Sequence, residues 1–265
     1  MNKYNTVLSI AGSDPSGGAG IQADLKTCTA LGCYGMSVIT NITIQNTEGV
    51  QSAESLSPKI VTQQLKALLS DININAIKIG MLGNEAIMLS LFNILKKQNI
   101  PIVLDPILSS TNGFNFYKKE NIDALKEKLI SISTIITPNI TEAETLSGSL
   151  IKNSSDMKRI AKKLCENNLK AVLITGGHLS GSDAIDILYI KKEDQFHELR
   201  SKKIKTENLH GTGCTLSTAI ACYLSLGKNL YEAIQLAKTF ITKAIIKGAN
   251  YRLGKGNGPL CHLKK

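Results

Sequence analysis

The segment Gly211-Thr212-Gly213-Cys214-Thr215 opens a stretch that is apolar on one face for three turns, through Leu216, Ala219, Ile220, Tyr223 and Leu224. Glycines at a helix start let backbone N–H groups converge on one point, and the helix dipole adds positive partial charge there. Such a cradle suits an anion, and a transferring phosphoryl group fits it. Cys214 falls inside the cradle, where a helix N-terminus is expected to lower a thiol pKa and make the sulfur a base. A glycine-capped helix start with a buried cysteine explains the same residues equally well.

Other residues with chemical potential cluster at similar junctions. Gly17-Gly18-Ala19-Gly20 is a second glycine-rich turn, without the G-K-[ST] ending of a Walker A loop or the G-x-G-x-x-G spacing of a dinucleotide site. It fits either a lid over a substrate or a close helix–sheet contact. Asp105 and Glu142 follow apolar strand-like runs and could hold Mg²⁺ directly or through water, or serve as turn and cap acids. Asn139, three residues before Glu142, reads equally as a helix N-cap with an acid in the first turn. Of the four histidines only His210 adjoins a candidate site, so no metal–histidine site is assigned. The absence of a G-x-S-x-G elbow argues against an α/β-hydrolase.

Positioning these residues requires strands that end where they begin. Residues 7–11 form an apolar run ending in the first glycine turn, after which residues 21–31 read as a helix. Residues 34–44 are rich in β-branched side chains, and Ser57-Pro58 starts a helix with the buried stripe Val61, Leu65, Leu68 and Ile72. Short strands over 76–79, 102–104, 134–136 and 171–174 alternate with helices, one of them capped by Asn84 and another starting near Lys119. Residues 184–190 and 195–201 break the rhythm as an antiparallel hairpin at an edge. Two helices close the chain, the last capped by Asn229. Repeated β-then-α units make an α/β protein with a mainly parallel sheet between helices. Its ligands are expected beyond the carboxyl ends of the strands. No linker, repeat or low-complexity tract interrupts residues 1–265, so a single domain is expected.

Composition narrows the alternatives. The chain has 265 residues, 43% of them apolar, enough for a substantial core. No apolar run approaches the roughly 18–20 residues of a membrane span, and no targeting segment is recognisable. A soluble protein with no membrane partner is expected. The net charge of +10 is carried by solvated helix faces such as Lys158, Arg159, Lys162 and Lys163. With 5% aromatic residues, no Trp and no helix-turn-helix, zinc-finger or RNP-like pattern, no nucleic-acid partner is expected. Six cysteines without a C-x-x-C pair suit a reducing cytoplasm.

Six collinear segments carry a resemblance. They are residues 11–24 (AGSDPSGGAGIQAD), Gln45-Asn46-Thr47, Lys78-Ile79-Gly80-Met81-Leu82, Asp105-Pro106, residues 137–144 (TPNITEAE) and residues 210–215 (HGTGCT). Together they resemble the hydroxymethylpyrimidine/phosphomethylpyrimidine kinases of thiamine biosynthesis over nearly the whole chain. The resemblance implies a ribokinase-like three-layer fold, a cytoplasmic homodimer and small-molecule substrates. It implies that ATP phosphorylates 4-amino-5-hydroxymethyl-2-methylpyrimidine and then its monophosphate. Mg²⁺ would arrive with ATP, with no protein-only metal site, and Asp105, Asn139 and Glu142 would stand on the ATP–Mg²⁺ side. Gln45 matches the glutamine that binds the aminopyrimidine, Gly12, Asp24 and Met81 match neighbouring pocket positions, and Cys214 matches the catalytic cysteine within Gly211-Thr212-Gly213. Two departures concern the nucleotide: Thr175 and residues 109–113 stand where the family commonly has lysines. A pyridoxal or pyridoxine kinase of the same superfamily is the alternative reading. A non-catalytic precursor sensor is disfavoured by the intact glycine–cysteine motif.

Overall fold

Strand-forming and helix-forming segments alternate along the chain as β1 (Thr6–Ser13), α1 (Gly20–Ala30), β2 (Tyr34–Asn46), β3 (Gly49–Ser55), α2 (Pro58–Asp71), β4 (Ala76–Ile79), α3 (Glu85–Leu95) and β5 (Ile102–Leu104). The second half continues with α4 (Lys119–Ala124), β6 (Ile135–Ile136), α5 (Ile140–Ser147), α6 (Ser154–Leu164), β7 (Ala171–Ile174), β8 (Asp183–Ile190), β9 (Gln195–Lys202), α7 (Thr212–Ser225) and α8 (Leu230–Gly248). The computed structural model describes residues 2–108, 119–166, 169–177 and 181–263. Within these residues one sheet runs β3-β2-β1-β4-β5-β6-β7-β8-β9. Strands β2, β1, β4, β5, β6 and β7 are parallel neighbours, while β3, β8 and β9 pair antiparallel at the two sides.

Side-chain alternation divides the interior in two. Leu8, Ile10, Ile77, Ile79, Ile102, Leu104, Val172 and Ile174 pack against α2, α3, α5 and α6 through Val61, Leu65, Met88, Leu91, Leu146 and Ile160. Val7, Ala76, Val103, Ala171 and Leu173 face the other way, against Leu216, Ala219 and Ile220 of α7 and Ile234, Ala237 and Ile241 of α8. The central strands are buried on both faces, which explains why they read as short continuous apolar runs. The result is the three-layer α/β arrangement that the sequence pattern predicts.

Helix starts follow the expected chemistry. The side chains of Ser57, Asn84 and Asn229 accept hydrogen bonds from the N–H groups of Ile60, Ile87 and Glu232. The expected hairpin is β8–β9, at a sheet edge. Two features differ from the sequence reading. Strand β2 extends to Asn46 and turns back as β3, a strand that carries no alternating apolar signal because most of its side chains are exposed. Helix α4 continues into a π-helical stretch over Leu125–Ile130, which periodicity alone does not distinguish from α-helix. No helix among the described residues is long and apolar enough to cross a membrane.

Candidate active site

The sheet order reverses at β1, whose neighbours are β2 on one side and β4 on the other. A crevice forms outside the carboxyl end of such a strand. Here it is a cavity of about 480 Å³, lined by residues following β1, β4, β5, β6 and β7 and by the start of α7.

The turn after β1 is organised by Asp14. Its Oδ2 accepts from the N–H groups of Gly18 (3.1 Å) and Ala19 (2.8 Å), and its Oδ1 accepts from Ser16 N (2.8 Å) and Oγ (2.7 Å). His210 Nε2 lies 2.9 Å from Asp14 Oδ2 and 3.1 Å from Gln45 Nε2. With a proton on Nε2 the ring donates to Asp14; without it, the ring accepts from Gln45. Burial alone would raise the Asp14 pKa, but hydrogen bonds from His210, Ser16 and Ala19 outweigh it and bring the carboxyl down to about 2. Gln45 Oε1 accepts from Thr43 Oγ1 at 3.2 Å, so protein groups hold the amide at the cavity wall. Gly12 and Met81 complete this side, the Met81 methyl lying where a side chain on Gly12 would stand.

The glycine–cysteine motif forms the cradle with one adjustment. Gly211 is the N-cap of α7 with φ 86°, and no side chain caps the helix. Thr212 spends its own N–H on Leu209 O at 3.2 Å and its hydroxyl on the same carbonyl at 2.6 Å. The N–H groups of Gly213 and Cys214 are the ones left at the helix end. Cys214 is buried at 5% exposure and lines the cavity. The expected depression of its pKa is reversed: the thiol is pushed up to about 12. Burial is the largest cause, and Asp24 and Asp105 add to it against the opposing Lys78 ammonium and Gly20 N–H. The helix end contributes only about half a positive charge, too little to balance two carboxylates.

Asp105 and Glu142 both reach the cavity. Asp105 Oδ2 accepts from Ser217 Oγ at 3.2 Å, and burial raises its pKa to about 6 against the opposing Lys78. Glu142 is raised to about 8 by burial and by Asp105, despite N–H donation from Asn139 and Leu108. Asn139 and Glu142 also form a complete capping box at the start of α5, with both reciprocal bonds at 2.9 Å. The structural cap and the cavity wall are therefore the same residues. Thr137 Oγ1, also on this wall, is a buried hydroxyl without a hydrogen-bond partner. Two crowded carboxyls and an unpaired hydroxyl make an oxygen donor set that fits a hard cation.

Asp24 is corrected from a pocket residue to a buried one. It has no solvent exposure and does not line the cavity, because its carboxylate is engaged by Lys78, Ser9 and Thr218 from within the protein. Residue Thr175 stands on the cavity wall, whereas His178 and residues 109–113 lie outside the described residues. Sequence reading missed the cations at this end. Lys202, Lys203 and Lys238 line the cavity, with Lys202 paired to Asp183 at 2.9 Å and Lys238 to Asp186 at 2.5 Å. Asp186 also accepts from Gly176 N at 3.0 Å. Its place as an acid inside a strand was the available signal. The adjoining wall of Ile204, Leu209, Ile241 and Ile245 is apolar.

Comparisons with known proteins bear on the family and the fold. The family described as "Phosphomethylpyrimidine kinase" matches residues 14–261. A Rhizobium meliloti protein called hydroxymethylpyrimidine/phosphomethylpyrimidine kinase is 41% identical, over 97% of each chain. The phosphomethylpyrimidine kinase structure from Clostridium difficile superposes with a TM-score of 0.80 at 46% identity, covering 91% of this chain and 99% of its own. The ADP complex of Bacillus subtilis pyridoxal kinase gives a TM-score of 0.90 at 36% identity, covering 98% of each. The chain spans about half the length of the bifunctional thiamine-biosynthesis proteins it also matches, 48–52%. With its ribokinase-like sheet, its cradle at Gly211 and its match over residues 14–261, this chain belongs to the phosphomethylpyrimidine kinase family.

Proposed function

We propose that this chain transfers the γ-phosphoryl group of ATP to 4-amino-5-hydroxymethyl-2-methylpyrimidine and then phosphorylates the monophosphate to the pyrophosphate. The observation that carries the reading is the placement of the uncapped α7 N-terminus and Cys214 between two unlike walls of one cavity. One wall, Gly12, Gln45 and Met81, offers an amide to a small heteroaromatic ring. The other, with Lys202, Lys203, Lys238 and the apolar Ile204, Ile241 and Ile245, suits phosphates and a base.

The N–H groups of Gly213 and Cys214 would face the charge that develops on the transferring phosphoryl, so positioning and electrostatics supply most of the rate. Mg²⁺ would be held by Asp105 and Glu142 with water and nucleotide oxygens, and when bound it neutralises phosphate charge. Cys214 would take the hydroxymethyl proton as the alcohol oxygen attacks. The base is its thiolate, so the thiol must first release its own proton to water, which becomes favourable only as the surrounding negative charge is balanced. The lysines at the far wall would take over from the one absent at Thr175. The same reading includes a single kinase domain, a cytoplasmic setting, supported by six free cysteines, and a homodimer, for which the exposed Ile42 and Ile44 of β2 provide an apolar patch.

Coupled ADP release with Mg–ATP tests it, comparing the hydroxymethylpyrimidine, its monophosphate and pyridoxal at matched concentrations. Turnover on both pyrimidines is expected. Turnover on pyridoxal alone, the activity named for the Bacillus subtilis neighbour, would move the assignment to vitamin B6.

A further inference from the structure

Lys78 is the only lysine among the described residues that is buried, and it has no solvent exposure. It stands on β4 in register with Ser9 of β1 and Val103 of β5, on the face that meets α1, α7 and α8. Its Nζ donates to Asp24 Oδ1 at 3.0 Å and Oδ2 at 2.8 Å. Asp24 further accepts from Ser9 Oγ at 2.5 Å and from Thr218 Oγ1 at 2.7 Å. Thr218 lies one turn beyond Cys214 on α7, so this charge pair sits under the helix end that forms the cradle. Gly80 keeps the space open: a Cβ there would come within 2.9 Å of Lys78 Nζ. Replacing a buried pair with apolar side chains is often neutral or stabilising, so stability alone does not account for it.

Within reach of the pair are Cys214 on α7, Asp105 after β5 and, through Asp105, Glu142 on α5. His262 approaches from the C-terminal segment, with Nε2 2.9 Å from Thr215 Oγ1, and burial keeps it neutral by lowering its pKa to about 4. Beyond its partner Asp24, Lys78 is therefore a buried cation that acts on the Cys214 thiol and the Asp105 carboxyl.

Resting on the kinase reading above, we propose that Lys78 is a positioning residue for phosphoryl transfer. Asp24 fixes its ammonium beneath the α7 N-terminus, and that charge, shielded from water though opposed in part by Asp24, offsets negative charge gathered at Cys214 and Asp105 during transfer. The pair acts as an oriented dipole with its positive end toward the cradle.

The test is iodoacetamide alkylation of Cys214 in the ligand-free full chain at pH 8, followed by the mass of the Cys214 peptide. Lys78→Met is expected to slow alkylation about tenfold, the equivalent of one pKa unit. Asp24→Asn keeps one of the two acceptor oxygens that Ser9 and Thr218 use and leaves Lys78 unopposed, and is expected to speed it severalfold. Both variants changing the rate in the same direction, as loosened packing would do, or neither changing it, overturns the proposal. Where Lys78→Met does not fold, the double variant is compared with Asp24→Asn: slower alkylation in the double variant supports the role, and equal rates refute it. In ADP release, Lys78→Met is expected to lower kcat about tenfold with the pyrimidine KM within about twofold; unchanged kcat counts against it. The alkylation readout is independent of the alcohol used. Absent pyrimidine turnover alongside opposite alkylation changes would refute the substrate assignment and leave the role of Lys78 standing.

Discussion

Beneath the α7 N-terminus a thiol, two carboxyls and an ammonium compete for one net charge, and their order of ionisation decides what Cys214 can do. With its pKa near 12 the sulfur is protonated at neutral pH in the ligand-free protein. Its base role matters for an alcohol, which must lose a proton, and little for a phosphate oxygen that is already anionic. Cys214→Ala is therefore expected to lower kcat for the first phosphorylation about a hundredfold, and for the second by less than about tenfold, measured by ADP release on each substrate. Equal losses would remove Cys214 from the proton path. Much of this was legible in the sequence: Gly12, Gln45, Met81, Asp105, Asn139, Glu142 and Cys214 all reach the cavity. Asp24 was misplaced and Lys78 overlooked because their pairing spans 54 residues, a relation no local pattern encodes.

At the scale of elements, the cradle depends on two glycine turns meeting. Gly211 adopts φ 86°, a left-handed conformation that costs other residues roughly 1–2 kcal/mol. A Cβ there would also collide with the Gly18 carbonyl oxygen, which is backbone and cannot swing aside. Gly211→Ala is expected to displace the start of α7 from the turn after β1, lowering kcat at least about a hundredfold and Tm by several degrees. A variant with wild-type turnover would show that the contact is incidental. The helix starts were readable from their caps, and the central strands from their apolar runs. Strand β3 was not, because the sequence GVQSAES offers no face to a core and joins β2 through backbone pairing and the Asn41–Ser55 side-chain bond.

Across the whole molecule, the same buried acids set how stability varies with pH. Glu142 holds its proton up to about pH 8 when folded and about 4.5 when unfolded, so the ligand-free protein loses stability as pH rises between those values. Asp105 contributes in the same sense between 3.8 and about 6. Asp14 works oppositely: its folded pKa of about 2 gives stability that is present above 3.8 and lost as pH falls through 2. On these three groups maximum stability is expected near pH 4, and Glu142→Gln is expected to raise Tm at pH 8 by a few degrees while changing it far less at pH 5. Thermal melts across that range check it; a Tm unaltered at pH 8 would mean Glu142 ionises freely. The sequence revealed the parallel sheet and its two helical layers, but not the strand order, since neighbours such as β1 and β4 are chosen by which faces can be buried together.

That strand order has a consequence for the newly made chain. The first glycine turn leaves the ribosome 196 residues before the His210 that bonds its Asp14. Pro259 then pairs beside His210, and His262 reaches Thr215 only after a further 47 residues have been made. Closing so long a loop is slow compared with forming the local βα units. The sheet can assemble in order of synthesis, but the phosphate cradle is completed last, so a nascent or truncated chain lacking α7 carries the β1 turn without the helix end that completes the cradle.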